Sequence, residues 1–337
     1  MSLRILLLAH DNKIGDSIIL TGAFKPILEK FPEAELDVLC GQSNYHIYKY
    51  HPNIKRIYKS FNRSLLFRLF ASFSTKFTKY DYVVYFGLDV DKSSFRIITF
   101  FINAKNRILF SSPVKKRPED IILNGNWSCK HLSERHQRFI EWITKSKPKK
   151  YIYDIYLNPA KTYSQKENYK NNKPKITINI FGSNSNNTLS IGWTQGLLKK
   201  LKLAYPESTI QILSPSIDQQ RILDSAFNLK KFNLKIIPHN KELCETLNEI
   251  RLSDVVITTD TFASHASSAW NIPVLVLYGI NALNDKHPVI FGPKSNTHSK
   301  LIPNHKSVDS IQYDEIINAL KYMLSHPGSK SSIVLKN

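Results

Sequence analysis

The sequence predicts an α/β protein made of two Rossmann-like domains, each a parallel sheet wrapped by helices. Three observations lead there. Short apolar runs of buried-strand length alternate with stretches that are apolar at helical spacing. The alternation occurs twice, over residues 1–158 and again over 175–325. Between them, residues 159–174 have almost nothing to bury and read as a polar linker, while 326–337 read as a tail.

In the first half, strands are expected at 4–8, 35–39, 54–58, 82–85 and 107–110. A helix is expected over 17–30, where Ile18, Leu20, Ala23, Phe24, Ile27 and Leu28 fall largely on one side and Pro32 stops the run. In the second half, strands are expected at 176–180, 209–213, 255–258 and 274–277, and helices at 193–204 and 241–252. A last helix, 313–324, is placed to pack back across the domains. Two such units joined by a polar linker imply a cleft, with ligands bound beyond the carboxyl ends of the strands.

Hydrophobic residues make up 42% and aromatic residues 11% of the 337, which are the proportions of a folded chain. Cys40, Cys129 and Cys244 are far apart and odd in number, without disulfide or metal spacing, as in a reducing compartment. The apolar run 5–9 is too short for a signal sequence, and 97–102 cannot span about 30 Å of hydrocarbon, which takes about 20 residues. The expectation is a cytoplasmic protein, soluble or peripheral. The formal net charge of +20 calls for an anionic partner: nucleic acid, anionic lipid or a phosphorylated glycolipid. Neither zinc-finger spacing nor an RNP-type aromatic motif supports nucleic acid. A generally basic surface without a dedicated partner is the plainer alternative.

Two motifs carry the candidate chemistry. The first is the loop His10-Asp11-Asn12-Lys13-Ile14-Gly15-Asp16-Ser17. Its single glycine excludes the three-glycine dinucleotide fingerprint, and it lacks the Lys-Ser/Thr of a P-loop. It offers a carboxylate, Asp16, at a helix start, where the dipole favours the ionised form and a proton acceptor is available. The alternative is that Asp16 caps the helix. The second motif is Val255-Val256-Ile257-Thr258-Thr259-Asp260-Thr261-Phe262-Ala263-Ser264-His265, a strand, a turn and a helix start whose amides form a cradle for pyrophosphate. For His265, a buried histidine bonded to a carbonyl is the alternative to a catalytic one. No second His or Cys stands at ligand spacing, so no metal is expected. The isolated Asp89-Val90-Asp91 is too weak a signal to change that.

A third segment, 62–77, puts Leu66, Leu69, Phe70, Phe73 and Phe77 on one helical face, with Arg63, Arg68 and Lys76 supplying charge. It reads either as an ordinary helix packing that face on the first sheet, which is the preferred reading, or as a contact for an anionic membrane.

The order and spacing of several stretches resemble glycosyltransferase family 9, the lipopolysaccharide heptosyltransferase-like enzymes of GT-B fold. These stretches are Ile5-Leu6-Leu7-Leu8, the Gly15-Asp16 pair opening a helix, Phe31-Pro32, and the acidic-aliphatic strand from Glu35. Residues 100–110 and 131–140 also look like their counterparts there. The resemblance implies two Rossmann-like domains facing across a cleft and inverting, metal-independent sugar transfer. The expected donor is a nucleotide sugar, ADP-heptose, and the expected acceptor an anionic glycolipid of the lipopolysaccharide core, with no further cofactor. It implies Asp16 as catalytic base, with Asn12, Lys13 and Gly15 in the acceptor-side loop. Asp260, Thr261, Ser264 and His265 match the family's donor-side pattern, and Ser183 and Asn184 are candidates to hold phosphate. Two positions depart from the family: Phe262 stands where it has glycine, and Ile191 where it has a phosphate-neutralising lysine. A non-catalytic or donor-switched relative, or a sugar-nucleotide epimerase or hydrolase, therefore stays open as an alternative.

Overall fold

The structure, a computed structural model, describes the chain except residues 1, 61–63, 92, 164–172, 183–184, 215, 228–229, 231, 238–242, 280–285, 303–306, 327–330 and 337. It divides into two compact units, Met1–Tyr156 and Leu157–Asn337.

The first unit is a parallel sheet of six strands: β1 (Arg4–Ala9), β2 (Glu35–Cys40), β3 (Arg56–Lys59), β4 (Tyr80–Val84), β5 (Ala104–Leu109) and β6 (Asp120–Ile122). Their order is β3-β2-β1-β4-β5-β6. Strand β1 is central, and Leu6 and Leu7 on its two faces are fully buried, as expected of a strand covered by helices on both sides. The second unit holds seven parallel strands: β7 (Lys175–Asn179), β8 (Thr209–Leu213), β9 (Leu234–Ile237), β10 (Val255–Thr259), β11 (Val274–Leu277), β12 (Thr297–Ile302) and β13 (Ser331–Lys336). Their order is β13-β12-β11-β10-β7-β8-β9. Ile176, Ile178, Ile210, Ile212, Val255 and Ile257 build its core. The stretch read from sequence as a tail thus contributes β13, parallel to β12.

In both sheets the chain runs outward from a central strand, then returns to that strand's other side. The switch points lie between β1 and β4, and between β7 and β10. In such sheets a crevice opens at the carboxyl ends of those strands. The two motifs singled out from sequence follow β1 and β10.

The helix expected over 17–30 is two helices, α1 (Ile14–Thr21) and α2 (Phe24–Lys30). The break has a tertiary cause. The Tyr151 hydroxyl donates to the Ile19 carbonyl at 2.8 Å, and the Asp154 amide donates to Thr21 Oγ1 at 2.8 Å. A Cβ on Gly22 would lie 2.6 Å from the Tyr151 ring, so only glycine admits that ring. After α3 (Tyr45–Tyr48) comes α4 (Leu65–Ser74), which corrects the preferred reading of segment 62–77. Among the described residues Ala71, Ser72 and the C-cap Thr75 are buried and Leu69 is half-buried, while Leu66, Phe70, Phe73 and Phe77 point to solvent. Arg63 lies outside the described residues. The unit is completed by α5 (Ser93–Phe100) and α6 (Leu132–Thr144).

In the second unit the helices are α7 (Ile191–Ala204), α8 (Ile217–Ala226), α9 (Leu243–Arg251), α10 (Phe262–Ala269), α11 (His287–Ile290) and α12 (Tyr313–Ser325). The last, α12, packs on α7 and β12 of its own unit. Among the described residues, no helix is long and apolar enough to cross a membrane.

Candidate active site

The loop after β1 is held from inside the first unit. Asn12 has φ 68°, a left-handed conformation that asparagine tolerates better than most residues. Its Oδ1 accepts from the Ser43 amide at 2.6 Å. A Cβ on Gly41 would fall 2.4 Å from that oxygen, so glycine is required opposite it. Asn44, fully buried, ties both ends of the loop together. Its Nδ2 donates to the Ala9 carbonyl and to Ser17 Oγ, each at 2.8 Å, and its Oδ1 accepts from the Gly41 amide at 2.9 Å. Ser17 in turn donates to the Lys13 carbonyl at 2.8 Å.

This bracing sets the position of Asp16. Lys13 occupies the N-cap position of α1, Gly15 is the second helical residue and Asp16 the third. Asp16 is therefore not the cap. Its carboxylate keeps 27% of its surface exposed and lies 3.6 Å from Lys13 Nζ. Burial by the surrounding protein, and secondarily the charge of Asp11, push its pKa from 3.8 to about 6, against the opposing pull of Lys13 and Arg135. A carboxylate tuned in this way is ionised at neutral pH yet is a better proton acceptor than an ordinary aspartate.

Two groups around this loop were not read from the sequence. Arg135 on α6 is buried, donating from Nη1 to the Phe86 carbonyl at 2.9 Å and from Nη2 to the Trp127 carbonyl at 3.2 Å. Its Nε has no hydrogen-bond partner among the described residues. His10 is buried, with its ring facing that of Tyr85 at 5.3 Å. Burial lowers its pKa to about 4, so the imidazole is neutral, and its Nδ1 likewise has no hydrogen-bond partner.

The second motif is built around Asn179 at the end of β7. Its Nδ2 lies 2.9 Å from Thr261 Oγ1, 3.2 Å from Thr258 Oγ1 and 3.1 Å from the Phe181 carbonyl. Thr261 caps α10 by accepting from the Ala263 amide, and its hydroxyl is shared with Thr258 at 2.9 Å. Ser264 is fully buried and donates to the Thr261 carbonyl at 2.8 Å. The hydroxyls of Thr261 and Ser264 are thus turned toward the protein, and the Ala263 and Ser264 amides donate to Thr261 Oγ1 and to the Thr261 carbonyl. His265 is buried and its pKa is lowered to about 4 by burial. Asp260 bonds His287 Nδ1 at 2.7 Å, a partner on α11 that no sequence spacing indicated.

Beside this motif lies a pocket of about 630 Å³. Asn179 and Thr261 line it together with Phe181, Ser190, Ile191, Ile222 and Phe262. Ser190 caps α7, accepting from the Trp193 amide at 3.3 Å. The N-termini of α7 and α10 therefore both border the pocket, with their free amides available to an anion. Gly182 is required in its wall, because a Cβ there would meet the Asn187 carbonyl oxygen at 2.1 Å. The next two residues, Ser183 and Asn184, lie outside the described residues. Ile191 and Phe262, the two departures from the family pattern, both face this pocket.

No protein-family model matches the chain, and no curated protein does. Solved structures do. The chain is similar to the E. coli heptosyltransferase WaaC with ADP, with a TM-score of 0.73 at 13% identity over 95% of this chain and 99% of that one. It is similar to the E. coli ADP-heptose lipopolysaccharide heptosyltransferase II, with a TM-score of 0.71 at 14% identity over 96% and 99%. A glycosyl transferase family 9 structure from Veillonella parvula gives a TM-score of 0.75 at 14% identity over 96% and 98%. The fold is therefore the two-Rossmann, GT-B fold of the heptosyltransferases.

Proposed function

We propose that the chain is an inverting glycosyltransferase that moves a sugar from a nucleotide-sugar donor to an anionic glycolipid acceptor. Residues 1–158 would bind the acceptor and 175–325 the donor. The observation that carries the reading is Asp16, held at the switch point of the first sheet with its pKa raised to about 6. Asp16 takes the acceptor hydroxyl's proton as that oxygen attacks the anomeric carbon of the donor. Asn12, Lys13 and Gly15 shape the acceptor side, and Lys13 holds the carboxylate in place. The departing nucleoside diphosphate is stabilised by the amides at the starts of α7 and α10, with Asp260, Thr261, Ser264 and His265 shaping that wall and Ser183 and Asn184 adding donors. The GT-B likeness to a heptosyltransferase solved with ADP and with ADP-2-deoxy-2-fluoro heptose supports ADP-heptose as donor and a lipopolysaccharide core acceptor. On this reading no metal takes part and the enzyme works at the cytoplasmic face of the inner membrane.

The test is acceptor-dependent turnover of Asp16→Asn, which keeps the shape and removes the base. The rate should fall by at least about 10²-fold. In the wild type, the rate should drop as pH falls through about 6, because Asp16 is then protonated. Near wild-type turnover of the variant removes Asp16 from the chemistry.

A second reading is favoured by one specific observation, the apolar faces that Ile191 and Phe262 turn to the pocket. A donor-switched relative, one that binds a less highly charged activated sugar, would have that lining. Preference for a nucleotide other than ADP supports it.

A further inference from the structure

Helix α4 is inverted with respect to an ordinary amphipathic helix. Among the described residues its buried side carries Ala71 and Ser72, continued by Thr75 and bordered by half-buried Leu69, with Ser72 Oγ donating to the Ile98 carbonyl of α5. Its aromatic side faces water: Leu66 is 66% exposed, Phe70 69% and Phe77 85%. Phe67 and Phe73 are also exposed, and at the end of α5 Phe100 is 70% exposed. Phe73 contacts Phe77, and Phe73 and Phe100 both contact Phe101, so these rings form one patch, with Phe70 one helical turn before Phe73. Single exposed apolar residues need no explanation, but a contiguous aromatic patch does.

We propose that α4 and the end of α5 form a docking surface for an anionic lipid bilayer. Charge identifies the occupant. Between Asp37 and Asp81 the sequence carries five lysines and three arginines and no Asp or Glu. Lys76 sits over the Phe73 ring at 5.4 Å, and Lys79 is exposed just beyond. A second copy of so cationic a surface would be repelled, whereas anionic headgroups attract it. Phenylalanines at i, i+3 and i+7 (Phe70, Phe73 and Phe77) flanked by lysines are the side chains that bury at the headgroup boundary while the cations stay among phosphates.

The surface also adjoins the candidate active site. Phe95 of α5 stacks on Tyr85 at 4.5 Å, and Tyr85 faces His10 at 5.3 Å. Docking therefore brings the loop carrying Asp16 to the membrane surface, where the sugars of a lipid-linked acceptor lie. This placement rests on the transferase reading; the docking itself does not.

Vesicle flotation of the full chain tests it without any nucleotide. The wild type should float with phosphatidylglycerol-containing vesicles, less so at high salt, and not with pure phosphatidylcholine. Phe70→Ser/Phe77→Ser should reduce partitioning by at least about tenfold. Lys76→Gln/Lys79→Gln should weaken it and flatten the salt dependence. Both variants alter exposed side chains, so melting temperature and calorimetric ADP affinity should stay at wild-type values, which separates this test from that of the transferase reading. A wild type that stays with the aqueous fraction overturns the proposal, as does a phenylalanine variant that floats undiminished. If the phenylalanine variant instead turns a dimer into a monomer on sedimentation, the patch is a self-association surface and the proposal falls.

Discussion

The loop after β1 and the turn after β10 each border the switch point of their own sheet, yet they are built differently. In the first, the backbone is tied down by Asn44 and Asn12, and the charged groups are left under tension. Asp16 is held above its ordinary pKa, and among the described residues the Nε of buried Arg135 and the Nδ1 of neutral His10 have no hydrogen-bond partner. In the second, Asn179, Thr258 and Thr261 bond one another and Asp260 is paired with His287, while among the described residues His265 Nδ1 and Thr259 Oγ1 have no hydrogen-bond partner. The adjoining pocket is walled by apolar side chains and helix amides. Strained charge suits a group that must exchange a proton, and a bonded network suits a surface that must hold a ligand unchanged.

The bracing of the first loop is its most sensitive feature. Asn44→Ala removes three buried hydrogen bonds and leaves the Ala9 carbonyl, Ser17 hydroxyl and Gly41 amide without that partner. Denaturant unfolding should show a loss of about 2–4 kcal/mol. A loss under about 1 kcal/mol would mean that water replaces the side chain and the loop is not rigid.

The tension on Asp16 predicts the opposite sign for its own removal. Its folded pKa, about 6, lies above the ordinary 3.8, so ionisation costs stability. That cost is absent below pH 3.8, grows as pH rises, and is complete above about 6. Asp16→Asn should therefore stabilise the protein at pH 7, by at most about 3 kcal/mol for a shift of about two pKa units, and less to the extent that water reaches the carboxylate. The gain should vanish near pH 4. Melting curves across this range check it, and a variant less stable than wild type at pH 7 would contradict the picture of a strained base.

A smaller effect sharpens the contrast from the other side. Ile191 opens α7 at the pocket wall. Ile191→Lys places a cation at a helix start beside the proposed diphosphate and should tighten ADP binding by about tenfold. An unchanged affinity would move the diphosphate away from α7.

The buried strands were the most legible part of the fold. The strands at 209–213 and 274–277 have the bounds expected, because an apolar run in a parallel sheet is hidden on both faces and leaves a continuous signal. Strand β12 was missed because Thr297, His298, Ser299 and Lys300 carry no such signal; its place comes from pairing with β11. The break between α1 and α2 was invisible because Tyr151, which causes it, lies more than a hundred residues away. Segment 62–77 shows the limit most clearly. Its helical spacing was correct, but periodicity identifies an apolar face without saying that the core lies behind it. In the candidate site, Asp16 and Thr261 stand at helix starts, where local sequence places them. Arg135 and His287 act through contacts made across the fold, which no local pattern encodes.

The most direct test of the account is calorimetric titration of the purified chain with ADP, UDP, GDP and CMP, with and without magnesium. The account predicts saturable binding selective for ADP, unaffected by magnesium and weakened by Asn179→Ala, which opens the network behind Thr261. Absence of binding to all four nucleotides would contradict it and leave a GT-B fold without donor chemistry.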